Sequence, residues 1–252
     1  MRPEAVAVIV PAHNEAQLLP RCLDSVHAAG SALGGVPVLT VVVADTCWDA
    51  TGALAAEHGA HVVAVTCRNV GRARAAGVDH ALSALSPVLP EEVWLATTDA
   101  DSVVPRVWLR EQLRWARVGY DAVLGTIRLD TGPQPAPHEA VHDRQYFSTL
   151  PARPAPWIHP HVHGANLGMT AAAYERAGGF PPIATGEDRH LADRLQATGH
   201  RIARTDACPV TTASRLRGRA RGGLADLLST LCHPGQPHRP PSDARERAQP
   251  AD

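Results

Sequence analysis

Val93-Trp94-Leu95-Ala96-Thr97-Thr98-Asp99-Ala100-Asp101-Ser102 decides how the rest of the chain is read. Val93 to Ala96 is a short apolar run, the mark of a buried strand. It leads into two carboxylates one residue apart. Acids at a strand end make a hard, oxygen-rich corner that suits Mg²⁺ or Mn²⁺ held against a diphosphate. In open α/β sheets, ligands collect at the carboxyl ends of strands. A solvated acidic loop would read the same way, so the flanking segments must decide.

Upstream, strands and helices alternate. Ala5 to Val10 is a β-branched, apolar run ending at Pro11. Asn14 and Glu15 open a helix whose apolar positions Leu18, Leu19, Cys22, Leu23 and Val26 recur at helical spacing. Val38 to Val43 reads as the second strand, with a helix from Asp49-Ala50-Thr51. His61 to Val65 reads as the third strand, followed by an Ala-rich helix over Arg72 to Leu85. The alternation predicts an α/β domain with a Rossmann-like, mostly parallel sheet flanked by helices.

Downstream, Pro105 starts a helix over Val107 to Val118, and Asp121 to Ile127 is a strand. Leu129 to Pro160 is proline-rich and irregular, with a helix around His138 to Leu150; so long a connection is usually functional or mobile. Gly164 to Met169 reads as a short strand, and Thr170 caps a helix to Ala177. Glu187 to Ala197 is an amphipathic helix, Arg201 to Arg204 a last short strand, and Gly222 to Leu231 a last helix. From His233 onward apolar residues nearly vanish. Residues 1–232 therefore read as a single domain and 233–252 as a disordered tail.

Composition narrows the class. Charged residues are 19% and the net charge is -1, which argues against a nucleic-acid binder. Every basic residue is Arg, so any phosphate clamp must be a guanidinium. Five Cys stand singly, with no Cys-x-x-Cys pair, which points to a reducing cytoplasm. No apolar run reaches 18 residues. Peripheral contact with the inner face of a membrane stays open.

Glu15 and Asp45, at the ends of the first two strands, fall on one rim. There they can accept hydrogen bonds from a ribose or a base; helix capping by Asn14 and Asp49 is the alternative. Arg68-Asn69-Val70-Gly71-Arg72-Ala73-Arg74 puts Arg and free N–H groups at a helix start, which is an anion site or a solvated basic face. His159, His161 and His163 alternate, so an extended segment puts them on one side. They read as a zinc site or as a hydrogen-bonded loop cluster near an acceptor cleft. Trp157 stacks on an acceptor sugar or simply packs.

Taken in order, Pro11-Ala12-His13-Asn14-Glu15, Asp45-x₃-Asp49-x-Thr51, Asn69-x-Gly71-x-Ala73-x₂-Ala76-Gly77, Asp99-x-Asp101, Gly164-Ala165-Asn166-Leu167-Gly168, Gly178-Gly179-Phe180-Pro181 and Gly186-Glu187-Asp188 form an ordered set. It resembles the family 2 glycosyltransferases of GT-A fold, over roughly Val6 to Leu231. The resemblance implies an inverting transferase that uses a nucleotide-diphosphate sugar and a divalent metal, Mn²⁺ or Mg²⁺. It implies Pro11, Glu15, Asp45, Arg72 and Asp99 as donor contacts, and a metal at Asp101 with Asp99 beside it. Asp188 becomes the general base. Residues 1–98 would hold the nucleotide, and 99–232 the metal and the acceptor. Family members often add a late His to the metal, here His163 or His233. Trp157, His163, Asn166 and Glu187 are the acceptor-side candidates. The acceptor class stays open among glycan, lipid-linked and small-molecule alcohols.

Three departures bear on this. Ala44 replaces the first of the two acids usual after the second strand, and Cys47-Trp48 replaces the usual Ser and its neighbour. The Gln-x-x-Arg-Trp motif of processive members is missing, so one sugar per encounter is expected. Arg215-Leu216-Arg217-Gly218-Arg219-Ala220-Arg221 stands near that place. Arg215 and Arg219 can clamp the leaving diphosphate, or the run is a membrane-facing or solvated patch. A sugar nucleotidyltransferase would need a Gly-rich basic loop after the first strand, which Pro11 to Gln17 does not offer. A non-catalytic sugar-nucleotide or glycan-binding module would not need Asp99, Asp101 and Asp188 together.

Overall fold

A computed structural model describes residues 3–131, 133–151, 157–216 and 223–232. Arg219, His233 and the tail lie outside the described residues. The first half runs β1 (Ala5–Ala12), α1 (Leu19–Ser31), β2 (Val38–Asp45), α2 (Thr51–Glu57), β3 (His61–Val65), α3 (Val70–Ala84) and β4 (Val93–Thr97). The second half runs β5 (Ser102–Val103), α4 (Trp108–Arg117), β6 (Ala122–Asp130), α5 (Pro137–Tyr146), β7 (Leu167–Thr170), α6 (Ala171–Arg176), α7 (Glu187–Ala197), β8 (Ile202–Ala213) and α8 (Leu224–Cys232). A short 3-10 turn, Gly164–Asn166, leads into β7.

One eight-stranded sheet has the order β3-β2-β1-β4-β7-β6-β8-β5. The first four strands pair parallel; β7 runs antiparallel to β4 and β6. Ala5 to Val10 are all 0% exposed because helices cover both faces, which is why this strand reads as an unbroken apolar run. Val6, Val8 and Val10 pack with Leu19, Leu23 and Val26 of α1. Ala7 and Ile9 pack on the other face with Ala73, Val78 and Ala81 of α3. Burying one such Leu or Val contributes about 1.5–3 kcal/mol. Gly77 lets α3 lie tight on the sheet, since a Cβ there would sit 2.6 Å from Ile9 Cγ2 and 2.7 Å from Val43 Cγ2. Strand order reverses between β1 and β4, and a crevice forms at their carboxyl ends.

The structure corrects several boundaries. Helix α1 begins at Leu19, not Asn14, because Asn14 has φ 54° and its Oδ1 accepts the Trp48 N–H at 2.9 Å. β1 continues through Pro11 to Ala12, in register with Val43 and Ala44. The last strand is 12 residues long and ends at Ala213, not Arg204. Its ladder with β6 jumps from Gly125–Thr205 to Ile127–Val210, so Asp206 to Pro209 bow out and hide the continuation. Thr170 does cap α6, accepting the Ala173 N–H at 3.2 Å.

Candidate active site

The acidic corner forms where β4 turns into β5. Ser102 N–H closes the turn onto Asp99 O at 3.0 Å, and Ala100 is buried between the two acids. Across the crevice, Glu15 follows β1. Its backbone N–H is held by Thr51 Oγ1 at 2.8 Å, so the carboxylate is fixed from the start of α2. Arg215 arrives just after β8. Its Nη2 lies 2.6 Å from Asp101 Oδ2 and 2.7 Å from Glu15 Oε1, and its Nη1 lies 3.2 Å from Glu15 Oε2. Burial pushes the Asp101 carboxyl up to about 6, and the like charge of Asp99 adds to that against the pull of Arg215.

A second guanidinium joins the corner to α7. Arg74 is 3% exposed in α3, and its Nη2 donates to Asp99 Oδ1 at 2.6 Å. Its Nη1 donates to Glu187 Oε1. Burial works against the cation, but Asp99, Glu187 and Asp188 more than offset it and raise its pKa. Burial raises the Glu187 carboxyl as well, against the pull of Arg74. Asp188 sits in the first turn of α7, where the helix dipole favours a carboxylate. Its Oδ2 accepts the Gly164 N–H at 2.8 Å and its Oδ1 accepts the Arg189 N–H at 2.7 Å. The structure thus gathers Glu15, Asp99, Asp101, Glu187 and Asp188 around two arginines.

Other expected site residues also carry structural contacts. Asp45 is 6% exposed. Its oxygens accept the N–H groups of Cys67 (2.8 Å), Arg68 (2.9 Å) and Asn69 (3.0 Å), and the Thr46 hydroxyl at 2.9 Å. The carboxylate thereby holds the turn that leads into α3. Arg72 stays exposed at that helix start, its N–H capped by Asn69 Oδ1 at 2.8 Å. Pro11 lies half-buried near the end of β1.

On the acceptor side, Asn166 joins three segments of the fold. It is 2% exposed, donates to Thr126 O and Cys208 O, both at 2.9 Å, and accepts from Trp108 Nε1 at 2.9 Å. Trp157 is 3% exposed and packs near Tyr146 and Phe147, so its ring is not an open stacking platform. Glu187 faces Arg74. The three histidines form a stacked ladder with Tyr146, whose ring centroid lies 3.8 Å from that of His161. His159 donates to Leu124 O at 3.1 Å, and His161 to Tyr146 O at 2.8 Å. Tyr146 Oη accepts the Ile127 N–H at 3.1 Å and shares a hydrogen bond with His163 Nε2 at 3.0 Å. Burial, with the neighbouring imidazoles, lowers the His163 pKa to about 3. This is the hydrogen-bonded cluster, not a zinc site. Among the described residues no group of three or more His, Cys, Asp or Glu is arranged to hold a metal.

Arg74 is the residue the sequence reading placed wrongly, as part of a basic helix start. The signal lay in its spacing. Gly71, Arg74, Val78 and Ala81 share the buried stripe of α3, so the arginine had to meet acids inside the protein. A hollow of about 430 Å³, lined by Val26, Gly30, Val38 and His61, lies at the opposite end of the sheet and holds none of these acids.

The sequence profile described as glycosyl transferase family 2 matches residues 7–178. Among solved structures, TarS 1-349 from S. aureus superposes with a TM-score of 0.60 at 16% identity, covering 83% of this chain and 60% of that one. The mannosyltransferase PcManGT from Pyrobaculum calidifontis, in complex with GDP-Man and Mn²⁺, gives 0.60 at 25% identity, covering 87% and 59%. Glucosyl-3-phosphoglycerate synthase from Mycobacterium tuberculosis, with Mn²⁺, UDP and glucosyl-3-phosphoglycerate, gives 0.55 at 16%, covering 91% and 77%. The chain spans about three fifths of the first two proteins, 60% and 59%. No curated protein matches it by sequence. The expected GT-A architecture is present in a single α/β unit, and the chain belongs to glycosyl transferase family 2.

Proposed function

We propose that this domain moves one sugar per encounter from a nucleotide-diphosphate sugar to an acceptor hydroxyl, inverting the anomeric centre. The observation that supports the reading is that Arg74 bridges Asp99, in the Asp99–Asp101 corner, and Glu187, the neighbour of Asp188 far along the chain. Asp99 and Asp101 are two hard oxygen donors one residue apart just past the end of β4, the number a divalent cation takes from a protein when a diphosphate completes its shell. Burial raises the Asp101 carboxyl to about 6, with the like charge of Asp99 adding to it and Arg215 opposing it. Asp101, with Asp99 beside it, would hold Mn²⁺ or Mg²⁺. When bound, the ion supplies Lewis-acid stabilisation of the leaving diphosphate.

The chain's own groups do the rest. Asp188 is held by the Gly164 N–H and by its helix, and takes the acceptor proton as the hydroxyl attacks. Arg215 offers a bidentate fork to diphosphate oxygens once it leaves Asp101. Arg72 lies exposed at the neighbouring helix start. The test is thermal shift and transfer with UDP-, GDP- and dTDP-sugars plus Mn²⁺, for wild type and Asp188→Asn. The variant should bind nucleotide as the wild type does and lose transfer by about 10²–10⁴-fold. A variant that still turned over would remove Asp188 as the base. Pyrophosphate release from a sugar phosphate and a nucleoside triphosphate would instead mark a nucleotidyltransferase.

A further inference from the structure

Arg74 is a full charge inside the protein, yet it does not simply neutralise one partner. Its fork splits between Asp99 of the acidic corner and Glu187, the residue next to the proposed base. Its third wall is Gly164. A Cβ on that glycine would lie 2.3 Å from Arg74 Nη2, so the backbone there runs directly against the guanidinium. The same Gly164 donates its N–H to Asp188 Oδ2 at 2.8 Å. Phe180 covers the guanidinium from a centroid distance of 5.8 Å. Thr97 Oγ1, at the end of β4, donates to Gly164 O at 2.5 Å and fixes the other side of that glycine.

We infer that Arg74 is a positioning residue that sets the Asp188 carboxylate relative to the Asp99–Asp101 corner. It acts through Glu187 on the first turn of α7 and through Gly164 on the N–H that Asp188 accepts. A single rigid fork fixes both ends of the reaction path. A lysine, with the same charge at a single point, cannot span the two acids in that geometry. The donor-side acid and the acceptor-side base are thereby held at one separation whether or not substrate is present. This inference rests on the glycosyl-transfer reading for its catalytic consequence, but its structural core does not.

The test uses the full chain and two measurements. In Arg74→Gln, amide exchange at Gly164 and over 186–190 should speed up by at least about tenfold, because local opening no longer has to break the fork. With the donor and acceptor found by the screen above, kcat should fall by about a hundredfold, the cost of misplacing a reacting group by about 1 Å. Donor KM should stay close to wild type. Arg74→Lys should recover neither measurement. Should Arg74→Gln fail to fold, Glu187→Gln releases the same fork from its other end and should give the same pattern. Unchanged exchange at Gly164, or full recovery of kcat by Arg74→Lys, would overturn the inference. Absence of any transfer by the wild type would defeat the functional reading alone, and the exchange measurement would still decide the role of Arg74.

Discussion

Arg215 Nη2 lies 2.6 Å from Asp101 Oδ2 and 2.7 Å from Glu15 Oε1, so a side chain of this protein occupies the carboxylates proposed for a divalent cation. Cation and guanidinium then compete. Arg215→Gln should bind Mn²⁺ more tightly than wild type, by several-fold to about tenfold, or up to ~1.4 kcal/mol. Sugar transfer should fall in the same variant, because the diphosphate loses its fork. Free Mn²⁺ measured by electron paramagnetic resonance reads the first effect without any donor. Weaker Mn²⁺ binding in Arg215→Gln would show that the arginine supports the ion instead of competing with it.

Asp101 gives a pH dependence with a definite sign. Its folded pKa, about 6, lies above its ordinary value of 3.8. Between those values the folded form holds more proton than the unfolded one, so ionising Asp101 weakens the fold as pH rises through 6. A cation needs the ionised form. Mn²⁺ binding should therefore weaken by about tenfold per pH unit below 6. Asp101→Asn should lose Mn²⁺ yet melt no lower than wild type at neutral pH without metal. Calorimetry at several pH values checks both.

Asp45 should act on stability first. Asp45→Ala leaves the N–H groups of residues 67–69 without their acceptor, and hydrogen bonds to a charged group are worth about 1.5–3 kcal/mol each. A clear drop in the urea midpoint is expected, with faster amide exchange over 67–72. Any loss of nucleotide affinity should follow that loosening. A variant of full stability with no nucleotide binding would instead make Asp45 a direct contact.

Gly77→Ala tests the seam between α3 and the sheet. The new methyl would overlap Ile9 and Val43, at 2.6 and 2.7 Å. Overpacking of this kind costs about 1–3 kcal/mol, seen as a lower melting temperature. An unchanged melting temperature would mean that α3 can lift off the sheet freely.

The first half of the domain was readable because its physics is local. Strands buried on both faces spell continuous apolar runs, and the acids at their ends stand out against them. The ordered set of short motifs then carried the family. What the sequence hid was decided by partners far along the chain. β8 was cut at Arg204 because Asp206 to Pro209 leave the ladder and rejoin it at Val210. The structural partners of Asp45, the N–H groups of 67–69, have no side-chain signature. The packing of Trp157 and the three hydrogen bonds of Asn166 have none either. Burial against Tyr146 and Thr126 shows only in three dimensions. Arg74 was misplaced by its basic neighbours Arg68 and Arg72, although its stripe of small residues marked an inward face.

The carboxylate of Asp45, seated on three successive backbone donors, joins the end of β2 to the turn that leads into α3. The helix that starts there carries Arg74, so the rim of the sheet and the guanidinium between Asp99 and Glu187 share one anchor.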